Sequence, residues 1–261
     1  MKKHIRVVTP HITPRPNKLN ELAGLDMFAN VTFSHVGLGL GPASIESAYD
    51  EALCAPYVVG RCVEAEEQGV DAVIIDCMGD PGLAAAREAV SIPVLGPGET
   101  SMHMAAMLGH RFAVVTILDR VRPMFENHAR IYGIADKLVS VRSIDMPVLD
   151  IEHDPEKLVR VLVAQSAAAI VEDNADVIIL GCTGFLGVSE KIAAGLKALR
   201  LPAPVINPLR STAMMAFAMT SVGLTTSPLC YPAPAIKTAT GYDLPPMQKQ
   251  GIRRQIPTSN N

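Results

Sequence analysis

The sequence predicts an α/β fold of two pseudo-symmetric lobes, each with a mainly parallel sheet flanked by helices, and a site in the cleft between them. Three observations lead there. The apolar runs are short, rich in Val and Ile and often unbroken, as in parallel strands covered on both faces. Helical patterns alternate with these runs. One strand-and-turn segment occurs twice.

The predicted strands are Ile5–Thr9, Val31–Val36, Ala72–Asp76, Phe112–Leu118, Leu138–Ser143, Val177–Leu180 and Pro204–Ile206, with a further Pro-flanked strand between Ile92 and Pro97. Ser44 reads as the N-cap of a helix over Ile45–Leu53, and Pro56 as the first turn of a second helix ending near Gly69. Asp154 caps a helix that starts at Pro155 and runs to about Asp173. Gly96-Pro97-Gly98-Glu99 turns into a helix over Thr100–Leu108, and Pro208 to Ser221 is a further helix. Residues 1–110 with 207–225 form one predicted lobe and 111–206 the other. Residues 226–261 form a Pro-rich tail without a period.

Composition excludes several function classes. A net charge of −3 and the absence of Trp argue against a nucleic-acid surface. The start, Met1-Lys2-Lys3-His4, lacks the apolar segment of a signal peptide, and no apolar run is long enough for a bilayer. Five cysteines without a CxxC pair fit reduced thiols and a cytoplasmic protein. The seven histidines form no metal-ligand spacing, so no metal is expected.

The repeat carries the chemistry. Gly69 to Gly82 matches Asn174 to Gly187, with Asp71, Cys77, Gly79 and Gly82 each 105 positions before Asp176, Cys182, Gly184 and Gly187. Each copy has an acidic residue, a buried strand, a Cys at the strand's carboxyl end and a Gly-containing turn. Ligands of open α/β sheets bind beyond the carboxyl ends of strands. Two facing thiols suit inversion at carbon, because one removes a proton from one face while the other returns a proton to the opposite face. A helix N-terminus after each turn is expected to lower the thiol pKa. Backbone N–H groups of Met78, Gly79, Thr183 and Gly184 are candidates to hold an enolate oxygen. Thr116, at a strand end, is a further pocket candidate.

Several residues read as structural. Cys54, Cys62 and Cys230 read as small core residues, and Met102, Met104, Met107, Met214, Met215 and Met219 as core filler. Asp71 and Asp176 shape helix-to-strand turns. Asp80 reads as an N-cap with Pro81 in the first turn of its own helix. Thr183 is open between substrate contact and a cap.

Gly41-Pro42-Ala43-Ser44-Ile45-Glu46-Ser47, Asp76-Cys77-Met78-Gly79-Asp80-Pro81-Gly82-Leu83, Gly96-Pro97-Gly98-Glu99, Arg111-Phe112-Ala113-Val114-Val115-Thr116 and Gly181-Cys182-Thr183-Gly184 together resemble the Asp/Glu/hydantoin racemase superfamily, and its hydantoin racemase branch most of all. The resemblance spans about residues 4–225. It implies a cofactor-independent isomerase with Cys77 and Cys182 as the acid/base pair, acting on a small molecule such as a 5-substituted hydantoin or an allantoin-like ureide. It also implies a homo-oligomer. Pro10, Met78, Gly79, Thr116, Thr183 and Gly184 are then the substrate-binding candidates. The sequence departs from the resemblance at Thr9-Pro10-His11, where an Asn-Pro-Asn-like motif is usual, and at Met78 and Phe185. Other readings of the same residues are an amino-acid racemase, a maleate-isomerase-like enzyme with a Cys nucleophile, and a non-enzymatic thiol sensor or binding protein.

Overall fold

The computed structural model describes residues 2–25, 30–235, 237, 240–242, 245 and 247. Most of the expected tail beyond residue 235 lies outside the described residues. The first sheet holds β1 (Lys3–Val8), β2 (Val31–Val36), β3 (Ala72–Ile75) and β4 (Val94–Leu95), in the order β2-β1-β3-β4. The second holds β5 (Phe112–Thr116), β6 (Leu138–Ser143), β7 (Val177–Leu180) and β8 (Val205–Ile206), in the order β6-β5-β7-β8. Every strand pairing is parallel. The helices are α1 (Ala48–Glu67), α2 (Leu83–Ala89), α3 (Pro97–Leu108), α4 (Arg122–Ile131), α5 (Pro155–Glu172), α6 (Ser189–Ala198) and α7 (Pro208–Ser221). Central strands β3, β5 and β7 are buried at every position, which is why they read as unbroken apolar runs.

The duplication reaches further than the cysteine turns. Val31 and Leu138, which begin β2 and β6, are 107 positions apart, and so are the helix caps Ser47 and Asp154. Ile5 pairs with Ala72 as Phe112 pairs with Val177, so Thr9 corresponds to Thr116. The paired aspartates do equivalent work. Asp71 accepts from the His4 N–H at 2.8 Å and Asp176 from the Arg111 N–H at 2.9 Å, each pinning the start of the neighbouring strand.

The last helix of each half crosses over. Met102 and Ala105 of α3 belong to the core built on the second sheet, with Phe112, Val114 and Ile178. Leu209, Ala213 and Ala216 of α7 belong to the core on the first sheet, with Ile5, Val7, Ala72 and Ile74. The two halves therefore share one interior.

Several local expectations change. The helix predicted from Ile45 begins at Ala48, and its cap is Ser47, whose Oγ accepts from the Asp50 N–H at 3.2 Å; Ser44 lies outside it. Pro56 starts no second helix but sits inside α1. Its missing N–H leaves a carbonyl free at Ala52, which is exposed, so water can satisfy it. Cys54 and Cys62 are buried as expected, with thiols pushed up to about 12 by burial, whereas Cys230 is exposed. Met102 is fully buried, but Met107 is 71% exposed because it lies on the outer face of α3.

Asp80 does not cap its own helix either, since α2 begins at Leu83 behind a left-handed Gly82. Its carboxylate instead accepts from the N–H groups of Gly98 at 2.9 Å and Glu99 at 2.8 Å, at the start of α3, and from the Tyr132 hydroxyl at 2.7 Å. Asp80 thus ties the first Cys turn to α3 and to the second half. Asp80→Ala leaves two buried helix N–H groups unpaired, and a loss of about 2–4 kcal/mol is expected in urea unfolding. A change within experimental error would contradict this role.

Candidate active site

Cys77 lies two residues beyond the end of β3 and Cys182 two beyond the end of β7. Both are free thiols, each partly open to the cleft. Each sulfur accepts a backbone N–H from the glycine two residues on, Gly79 at 3.5 Å for Cys77 and Gly184 at 3.3 Å for Cys182. A Cβ on Gly184 would stand 3.2 Å from the Cys182 sulfur, so a side chain there would crowd the thiol.

The thiols form a common wall between two largely apolar hollows, of which the first also carries several charged side chains and is the more polar. One is lined by Pro10, His11, Arg15, Lys18, Asp76, Val148, Glu152, Thr183, Gly184 and Leu186 with both cysteines. The other is lined by Ser47, Met78, Gly79, Thr116, Ile117, Val121, Met124 and Gly181, again with both cysteines, and by Glu51. Ile45 borders both.

The polar hollow is organised by one buried ion pair. Lys18 Nζ lies 2.7 Å from Asp76 Oδ2, with side chains 3% and 0% exposed. The same ammonium donates to the Thr183 carbonyl at 2.8 Å, and Thr9 Oγ1 donates to Asp76 at 2.9 Å. The Thr183 hydroxyl donates to the Asp76 carbonyl at 3.1 Å, joining the two cysteine turns directly. Burial, with Arg15 adding to it, lowers the His11 pKa to about 4, so that ring is neutral at physiological pH. Its buried Nδ1 has no partner in the protein. Arg15 reaches across to Glu152 at 2.7 Å.

The thiols are not electrostatically alike. Burial pushes Cys77 well above the ordinary thiol range; the Gly79 N–H opposes this and the Glu51 carboxyl adds to it. Burial also raises Cys182, but there the Gly184 N–H, Lys18 and Arg15 pull down while Asp76 pushes up. Cys182 is thus the better placed of the two to carry a negative charge, and Cys77 to hold a proton. The expectation that helix N-termini lower both thiols is corrected. α2 starts at Leu83 and α6 at Ser189, too far along the chain for the end of either helix to reach the sulfur, and burial prevails.

Every residue expected at the site borders the cleft. Pro10, Thr183 and Gly184 face the polar hollow; Met78, Gly79 and Thr116 face the apolar one. Their donors are partly spent, however. The Gly79 and Gly184 N–H groups serve their own sulfurs, and the Thr116 hydroxyl donates to the Gly181 carbonyl at 3.1 Å. Thr183 caps no helix, because α6 begins six residues later. Sequence reasoning noted His11 only as a departure from the resemblance, and missed Arg15, Lys18 and Glu51 altogether. It also passed over Asp76, although the repeat flags that position by setting Asp76 against Gly181. Among the described residues no group of three or more His, Cys, Asp or Glu could hold a metal ion, and no helix is long and apolar enough to cross a membrane.

Comparison with known proteins supplies an independent line. The family model described as Asp/Glu/Hydantoin racemase matches residues 18–216. The chain is 38% identical over 226 residues to a hydantoin racemase of Pseudomonas sp. (strain NS671), covering 86% of this chain and 89% of that protein. It is 35% identical over 243 residues to a hydantoin racemase of Rhizobium meliloti, covering 92% and 98%. Among solved structures, allantoin racemase from Pseudomonas fluorescens superimposes with a TM-score of 0.81 at 31% identity, covering 91% of this chain and all of that one.

Proposed function

The chain belongs to the Asp/Glu/hydantoin racemase family and is a racemase, and from that premise we propose that it inverts C5 of a hydantoin ring bearing an apolar substituent, with Cys77 and Cys182 carrying the protons. The observation that carries this reading is the position of the two thiols between a hollow that carries Arg15, Lys18, Asp76 and Glu152 and one whose sole charged side chain is Glu51. A hydantoin with an apolar arm divides the same way. Its ring carbonyls and N–H groups match Arg15, Lys18, His11 and the Thr183 turn. Its substituent matches Ile117, Val121 and Met124. The ureido arm of allantoin would find only Ser47, Glu51 and the already bonded Thr116 as polar side chains in the apolar hollow, too few for its carbonyl and N–H groups.

The chemistry follows from the charge asymmetry. The C5 proton is acidic because the carbanion delocalises onto the adjacent carbonyl as an enolate. Cys182, as thiolate beside Lys18 and Arg15, removes the proton from one face, and the Cys77 thiol donates to the other. The opposite enantiomer uses the same groups in exchanged roles. Lys18 has three N–H donors and spends two of them on Asp76 and Thr183. The third, with Arg15, is available to negative charge developing on the enolate oxygen. Because burial raises both thiols, thiolate becomes more abundant as pH rises, and kcat/KM should climb between about pH 7 and pH 9.

Polarimetry with both enantiomers of 5-isobutylhydantoin, 5-benzylhydantoin and allantoin, with glutamate as a control and maleate followed by ultraviolet absorbance, tests the assignment. Racemisation of the aliphatic and aryl hydantoins is expected, with kcat/KM for allantoin lower by about tenfold or more, as two unpaired polar groups would require. A preference for allantoin would overturn the substituent assignment. Activity confined to glutamate or maleate would overturn the ring assignment itself.

A further inference from the structure

We propose that Glu51 is a positioning residue acting through Cys77, the proton inlet and outlet that resets the thiol pair between turnovers. The proposal rests on the two-thiol reading above. Glu51 lines the apolar hollow beside Cys77 and Gly79, where it is the sole charged side chain. Its Oε1 is buried and has no hydrogen-bond partner among the described residues. A Cβ on Gly79 would fall on that oxygen, although the Gly79 backbone has no positive φ that would demand glycine. Glycine is needed there for space, and the space admits a carboxyl group to the residue whose N–H holds the Cys77 sulfur.

The internal duplication shows that the carboxyl is not a packing requirement. Glu51 is the fourth residue of α1, and the fourth residue of α5 is Leu158, a buried leucine. The equivalent fold position in the second half is therefore filled by hydrocarbon. The groups that bear on Glu51 are the carboxylates of Asp50 on its own helix and Asp80 on the Cys77 turn, the thiols of Cys54 and Cys77, and Met124 of α4. Burial first, then Asp80 and Asp50, raise the Glu51 carboxyl to about 7. A group in that range both takes and gives a proton at neutral pH.

Resetting is a chemical necessity of a two-base racemase. After Cys182 has removed a proton and Cys77 has donated one, Cys77 is a thiolate and Cys182 a thiol. A second substrate of the same hand needs the reverse. The Glu51 carboxylic acid transfers its proton to the Cys77 sulfur, breaking O–H and forming S–H. The carboxylate takes a proton back from water, and Cys182 releases one to water, so protons balance. For the other enantiomer each transfer runs backwards.

Steady-state kinetics of Glu51→Gln on the hydantoin substrates tests this, because resetting occurs on free enzyme and lies outside kcat/KM. Glu51→Gln should lower kcat by about tenfold or more and KM in parallel, keeping kcat/KM within about twofold. Product inhibition should become noncompetitive. Small carboxylic-acid buffers should restore kcat, and Glu51→Asp should recover part of it. A fall in kcat/KM matching that in kcat, or no change in kcat, would overturn the relay. Inactive Cys77→Ser with a kinetically normal Glu51→Gln removes the relay alone, whereas an active Cys77→Ser removes the two-thiol reading.

Discussion

Cys77→Ser and Cys182→Ser are each expected to lower racemisation of both enantiomers by about a thousandfold or more, because inversion needs a donor on one face and an acceptor on the other. A serine hydroxyl keeps the shape but is far too weak an acid to ionise near neutrality. The variants should nevertheless differ. Cys77→Ser retains the sulfur beside Lys18 and Arg15, so it can still remove and return a proton on one face. Exchange of the C5 proton with deuterium from solvent should persist in one enantiomer only. Cys182→Ser should exchange the opposite enantiomer, and more slowly, since the surviving sulfur lies in the field of Glu51 and has no cation beside it. NMR in heavy water reads both. Exchange of the same enantiomer by both variants would show that the thiols do not stand on opposite sides of the reacting carbon.

The second large effect concerns Lys18. Lys18→Met should cost about 3–5 kcal/mol in urea unfolding, because it leaves the Asp76 carboxylate buried without its counter-ion. Asp76 Oδ1 already lacks a partner among the described residues, and without Lys18 the carboxylate would keep only the Thr9 hydroxyl. The double variant Lys18→Met/Asp76→Leu removes both charges and should regain most of that stability. It should not regain activity, since the cation beside Cys182 is gone. This separates the structural contribution of the pair from its chemical one. Recovery of activity in the double variant would show that Lys18 acts only by neutralising Asp76.

The repeat made the two cysteines legible because strand, Cys and Gly turn are local and were kept in both halves. The central strands were legible for a related reason: burial on both faces leaves an unbroken apolar run. What surrounds the thiols was not local. Lys18 comes from a 3-10 turn between β1 and β2 and meets Asp76 and Thr183 only through tertiary packing. In the sequence it is one lysine in a polar stretch. Glu51 looks like an ordinary acidic residue in the first turn of a helix, and only its approach to Gly79 distinguishes it. Asp80 was misread for the same reason, because a cap is normally sought on the helix that follows and this one serves α3. Pro56 was overweighted as a helix start, although the exposure of Ala52, whose carbonyl loses its partner, lets α1 run through it.

The exchanged helices also set a schedule for the growing chain. Ile5, Val7, Ala72 and Ile74 are made early, yet Leu209, Ala213 and Ala216, which cover them, come last. Until α7 has left the ribosome, that face of the first sheet is covered only in part, by Leu22 and Leu25. A chain stalled before residue 207 would therefore present a sticky apolar surface to chaperones or to other nascent chains, while its second sheet, already covered by α3, could close. The N-terminal half is thus the later of the two to be completed, and the last helix acts as the latch that commits the whole molecule to its native state.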